Sequence, residues 1–210
     1  MDSLRLQPVV FCGENPHVVL VNETGKITAA ASFWDCTYSA YGEGRVLLVY
    51  LDGSNAAGLH QPLVAVYADN APLARYLTDT FNQHFEDWDD LGFGGALIQP
   101  ARFFKESDSR QFYRVACYAD QTRIEVTWSD MRGTSFRTFP DIRDGGFGPE
   151  GDEHYHVSNV LFLCAQGQIL VNGQAAIGAP ETRTLPDGRF STSVFLALSE
   201  TWIKMEMDEE

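Results

Sequence analysis

The stretch Phe112–Trp128, FYRVACYADQTRIEVTW, decides the fold. In its second half Ile124, Val126 and Trp128 fall on one side of an extended chain, and Arg123, Glu125 and Thr127 on the other. Successive side chains of a strand point to opposite faces, so this alternation marks a half-buried antiparallel strand. Phe112 to Tyr118 supplies the partner, and the polar tetrad Ala119-Asp120-Gln121-Thr122 is the turn between them.

The same period recurs outward along the chain. Val18 to Val21 runs into Asn22-Glu23-Thr24-Gly25, and Lys26-Ile27-Thr28 resumes an extended pattern, a second hairpin. Ile169-Leu170-Val171 meets Asn172-Gly173, the favoured type I′ pair because both positions need positive φ, and Gln174 to Ile177 returns. Gln166-Gly167 reads as a turn after Val157 to Cys164. Phe190, Thr192, Val194, Leu196 and Leu198 form one face of a long strand near the C-terminus. With Val46 to Leu51, Leu63 to Tyr67 and Leu97 to Phe104, the count is roughly ten strands.

One segment changes period. Leu73, Tyr76, Leu77, Phe81, His84, Phe85 and Trp88 recur at spacings of three and four, an apolar stripe that predicts one amphipathic helix near residues 71–88. Asn70 is its expected N-cap, Pro72 sits in the first turn, and the carboxylates of Glu86, Asp87, Asp89 and Asp90 end it near Trp88. Runs of strands with a single helix exclude a Rossmann-like alternation. The expected fold is therefore mainly β, an antiparallel barrel with its helix packed across it. A two-sheet sandwich is the alternative. The chain has 210 residues and no Ser- or Pro-rich linker or internal repeat, so residues 1–210 read as a single domain.

Charge narrows the partners. There are 29 acidic against 15 basic residues, a formal net charge of −14 that repels nucleic-acid phosphates and anionic membranes alike. The N-terminus lacks the basic patch and apolar core of a signal peptide, and no apolar run approaches the ~20 residues of a membrane helix. Cys12, Cys36, Cys117 and Cys164 are widely spaced without a Cys-x-x-Cys pair, which argues against a zinc knuckle. The reading is cytoplasmic with reduced thiols, oligomeric state open.

The candidate chemistry sits between Pro140 and His156. Asp141, Asp144, Glu150, Asp152 and Glu153 are interspersed with four glycines at 145, 146, 148 and 151, the composition of a lid or binding loop. His154-Tyr155-His156 follows, and in an extended chain both imidazoles project from one face, where they can share a divalent metal ion. Glu153 is the expected third ligand or base. Gly148, His154, His156 and Gly167 keep the spacing of the first cupin motif, which this segment resembles in part. The resemblance implies a metal-dependent enzyme. Two positions depart from it: the motif's Glu falls on Val160, and the histidine expected after Pro186-Asp187-Gly188 falls on Ser191. His60, His84 and Asp152 are further scattered ligand types. Cys36, in Trp34-Asp35-Cys36-Thr37-Tyr38, is a nucleophile only with a base beside it, and Lys105 reads as a stem laid over the core.

Three functions follow from these residues. Aromatic content of 12%, many strands and a capping helix suit a barrel that binds a small, largely apolar molecule. His154, His156 and Glu153 suit a cupin-like metal enzyme. The acidic surface and sheet edges suit an oligomeric interaction domain without a small-molecule site.

Overall fold

A computed structural model describes residues 9–54, 63–82, 85–108, 111–141 and 154–205. Fifteen strands appear among them: β1 (Val9–Glu14), β2 (His17–Val21), β3 (Ile27–Ser39), β4 (Gly44–Leu51), β5 (Leu63–Ala68), β6 (Ile98–Pro100), β7 (Arg102–Asp108), β8 (Phe112–Ala119), β9 (Thr122–Phe139), β10 (His154–Val171), β11 (Gln174–Ala175), β12 (Ala179–Pro180), β13 (Thr182–Thr184), β14 (Phe190–Thr192) and β15 (Val194–Met205). Thirteen join one sheet whose main path runs β6-β5-β4-β3-β1-β15-β10-β9-β8-β7, while β13 and β14 pair apart from it. All described pairings are antiparallel except β5 with β6. The two ends of the path, β6 and β7, are consecutive in the chain. Only Ala101 separates them, its N–H donating to Ala68 O at 2.9 Å.

The expected hairpins form. Ala119 faces Thr122 across a two-residue turn, and Ile124, Val126 and Trp128 are fully buried in the first core. Asn172 (φ 51°) and Gly173 (φ 82°) take the positive angles a type I′ turn needs. The strand count rises above ten because the predicted strands Leu97 to Phe104 and Phe190 to Leu198 split at Ala101 and Ser193, and because β1, β12 and β13 add to those the alternation marked, while Val157 to Cys164 and Ile169 to Val171 join in β10. Gln166-Gly167 is not a turn, because β10 runs unbroken through it. Gly167 serves close packing instead: a Cβ there would lie 2.9 Å from both Val194 methyls and 3.0 Å from Val18.

The single predicted helix is divided. α1 (Ala71–Tyr76) passes into a π-helical turn over Leu77–Phe81, closed by Asn82 N–H donating to Leu77 O, and α2 (Glu86–Asp89) follows; His84 lies outside the described residues. The stripe stays on one side through the wider turn: Leu73, Leu77 and Phe81 are buried, with Phe85 and Trp88 packed beside them. Asn70 caps as expected, its Oδ1 accepting from Leu73 N–H at 3.1 Å. Its Nδ2 also donates to the Tyr41 and Glu43 carbonyls at 2.9 Å each, which ties α1 to the β3–β4 turn.

Two cores result. The first draws Val18, Phe33, Leu47, Tyr67, Phe103, Val115, Trp128, Ile169 and Leu196 from nine strands. The second lies under the helices and contains Phe11, Trp34, Leu48, Leu73, Phe81, Tyr155, Val157 and Trp202. Strand β15 serves both. Val194 and Leu196 belong to the first core, and Trp202 to the second. The switch is a β-bulge: the β10–β15 register shifts between Ser158 and Val160, and Ser199 takes φ 50°. No described helix is long and apolar enough to cross a membrane.

Candidate functional site

The expected metal residues are placed as follows. His154 and His156 lie on β10 opposite Met205 and Ile203 of β15, two residues apart, while the intervening Tyr155 is buried in the second core. Both imidazoles therefore share a face. His154 Nδ1 lies 2.5 Å from Asp141 Oδ2, and His156 Nε2 lies 3.2 Å from Thr138 Oγ1. Glu153, Asp144, Glu150, Asp152 and His60 lie outside the described residues. Among the described residues no three His, Cys, Asp or Glu side chains form a metal-binding group.

A polar centre that the sequence reading did not single out lies beneath the helical layer. After the Ser199 bulge, Glu200 is turned inward with only 4% of its surface exposed. Asn15 Nδ2 donates to Glu200 Oε1 at 3.3 Å, Trp202 Nε1 to the same oxygen at 2.7 Å, and Asn159 Nδ2 to Oε2 at 3.2 Å. Ser32 Oγ donates onward to Asn15 Oδ1 at 3.1 Å. Asn15 is held at the corner between β1 and β2, its N–H donating to Ala197 O at 2.8 Å, and Asn159 sits in β10 at the bulge itself. Burial pushes the Glu200 carboxyl above its ordinary range, and the three N–H donors work against that rise.

Among the described residues three buried polar atoms have no hydrogen-bond partner: Trp34 Nε1, Asn82 Nδ2 and Asn159 Oδ1. A buried group left unpaired costs ~1–3 kcal/mol, and folded proteins hold few of them. Aromatic rings connect the three. Phe81 lies edge-on to Trp34 at 5.4 Å and to Trp202 at 4.9 Å, Asn82 follows Phe81 in the chain, and Phe85 and Tyr155 meet Trp202 at 5.7 and 5.8 Å. His17 opens β2 one residue beyond Pro16, stacked on Phe195 at 4.9 Å and edge-on to Trp88 at 5.0 Å. His17 is half-buried, and desolvation pushes its pKa down to about 3, which keeps the ring neutral at pH 7.

A second polar cluster lies on β1, β3, β4, β7 and β8. Lys105 is more than a stem over the core, since its Nζ is clamped by Glu14 Oε2 at 2.9 Å and Asp35 Oδ2 at 2.8 Å. Burial opposes its charge, but the hydrogen bonds to Asp35 and Glu14 outweigh that and raise its pKa. Tyr113 also donates to Glu14, and its own ionisation is pushed well up by burial and by that carboxylate. Arg45 joins through Asp35 at 3.8 Å, Asp69 at 3.6 Å and the Phe103 carbonyl at 3.1 Å. Gly13 permits the cluster: a Cβ on it would lie 2.0 Å from Asp35 O, so only glycine brings Glu14 alongside Asp35. Here each charge has a partner, so the cluster ties β7 and β8 to β1 and β3 rather than awaiting a ligand.

The three buried cysteines are inert. Burial pushes Cys117 and Cys164 up to about 12 and Cys36 higher still, with Asp35 adding to the rise at Cys36, so all three stay protonated thiols at neutral pH. No family model, curated protein or solved structure matches the chain.

Proposed function

We propose that the protein is a binding module that holds a small molecule between its helical layer and its sheet, at the Glu200 centre. One observation carries this reading: among the described residues Trp34 Nε1, Asn82 Nδ2 and Asn159 Oδ1 are buried without partners, in an aromatic surround that also contains a buried carboxylate. Mostly aromatic walls with a few convergent polar groups and a perturbed acid are the composition of a ligand site. The expectation of a largely apolar ligand is kept, with a polar head added to it.

The sheet is read as a barrel closed on itself, since its terminal strands β6 and β7 adjoin at Ala101 and Lys105 of β7 meets Glu14 of β1 and Asp35 of β3. In that reading the first core fills the barrel, and the ligand lies outside the wall under α1, the π turn and α2. The test is native mass spectrometry of the purified protein against its denatured mass. An excess of a few hundred daltons that denaturation removes, and that is missing from Trp34→Ala, supports the site; equal masses in both states count against it.

A second reading, a divalent-metal site at His154, His156 and Glu153, has one observation in its favour: Asp141 stands against His154 on the face that His156 shares. Replacing both histidines with alanine should remove stoichiometric metal from the purified protein, and unchanged metal content would sink it.

A further inference from the structure

We infer that the molecule bound at this centre carries an ammonium group, with the Glu200 carboxylate as its countercharge. The inference rests on the binding reading above and names the ligand class it requires.

Charges taken out of water are ordinarily paired with an opposite charge, because the desolvation cost of a lone buried ion is several kcal/mol or more. Glu200 is buried, and no Lys, Arg or His pairs with it among the described residues. Its three donors, two side-chain amides and an indole, are all neutral. A carboxylate offers about four acceptor positions. Oε1 accepts two hydrogen bonds and Oε2 one, so Oε2 keeps a lone pair for another donor.

The neighbouring acceptor has the same need. Asn159 donates to Oε2 through Nδ2 while its own Oδ1 has no partner among the described residues. Two acceptors on adjacent side chains, one of them charged, call for a group that carries positive charge and more than one N–H. An ammonium carries three. Burial alone favours the protonated acid, and a cationic head supplies the opposite charge that holds the carboxylate ionised, which a neutral or anionic head cannot do.

The surround suits a cation as well. Phe81, Phe85 and Tyr155 pack against Trp202, whose indole N–H is itself on Glu200, and aromatic faces attract ammonium groups most strongly where water is excluded. Across Phe81, the unpaired donors Trp34 Nε1 and Asn82 Nδ2 call for an acceptor such as a hydroxyl or carbonyl on the same molecule. The net charge of −14 concentrates organic cations at the surface in the same sense.

The experiment compares 2-phenylethylamine with 2-phenylethanol, alike in shape and different in charge, against the full chain at pH 7. Binding is read by tryptophan fluorescence and by the shift in the thermal midpoint. The amine should raise the midpoint by a few degrees near saturation and the alcohol should not. Glu200→Gln, close to isosteric, should weaken the amine by roughly tenfold or more. Asn159→Ala, which removes the unpaired acceptor, should weaken it too and guards against a folding defect in the first variant. An equal response to amine and alcohol, or an amine response unchanged in both variants, overturns the ammonium inference; a co-purifying mass would leave the binding site itself standing. No response to either probe overturns the inference as well, and with no co-purifying mass the binding reading falls with it.

Discussion

Trp202 donates its indole N–H to Glu200 Oε1 at 2.7 Å, two residues back along the same strand, and this bond joins the buried carboxylate to the aromatic layer beneath the helices. The Ser199 bulge makes it possible. Without the extra residue, β15 would carry on the alternation that puts Val194 and Leu196 into the first core, and Glu200 would point into that apolar packing. Glu200→Ala strands three buried donors on Asn15, Asn159 and Trp202 and should cost about 2–4 kcal/mol in denaturant unfolding. Glu200→Gln keeps an acceptor for most of them and should cost about 1 kcal/mol or less. Equal losses for the two variants would contradict this account.

Glu200 and His17 give stability opposite slopes with pH. The Glu200 carboxyl is raised above its reference value of 4.5 by burial, so its contribution is full below pH 4.5 and is lost as pH rises through the folded pKa. His17 is lowered from 6.5 to about 3, again by burial, so its contribution is present above pH 6.5 and is lost as pH falls towards 3. His17→Phe should therefore flatten the acid limb of the stability profile, and Glu200→Gln the limb that falls as pH rises from 4.5. Urea midpoints between pH 3.5 and 8 for each variant test both slopes.

Gly167 lets β10 approach Val194 and Val18. Gly167→Ala places a methyl 2.9 Å from the two Val194 methyls and should destabilise by about 1–3 kcal/mol through overpacking. Adding Val194→Ala should recover part of that loss. If the double variant shows no coupling, the close approach is not what excludes a side chain there.

Lys105 holds two carboxylates that would otherwise repel. Lys105→Met should cost about 1 kcal/mol at low salt, since the side chain remains 35% exposed and the charges are screened. The loss should shrink in 1 M sodium chloride. Paired with Glu14→Gln, the two losses should be less than additive, because Lys105 and Glu14 share one contact.

Much of the fold was legible because alternation is a local property. Ile124, Val126 and Trp128 read as one buried face and are buried together in the first core. The cap at Asn70 and the turn at Asn172-Gly173 were legible for the same reason, since each is settled by the residue itself and its near neighbours. Gly167 misled because glycine marks turns and close approaches alike, and only the presence of Val194 and Val18 against it decides which. The candidate centre was hidden by one extra residue. Phe190 to Leu198 read as a single face, and a Glu between Leu198 and Trp202 in that same alternation was the one available signal.

The sequence by itself determined that this is a mainly β protein with an aromatic helical stripe, because a period of two or of three to four residues fixes which side chains share a face. It also placed His154 and His156 side by side, since two residues of extended chain suffice for that. The tertiary structure alone decided that Asn15, Ser32, Asn159 and Glu200 meet in one buried network, that Lys105 lies between Glu14 and Asp35, and that β6 and β7 carry the two ends of one sheet path. Those contacts join residues up to 185 positions apart. Nothing local encodes them: they depend on the strand order and on the bulges that shift its register.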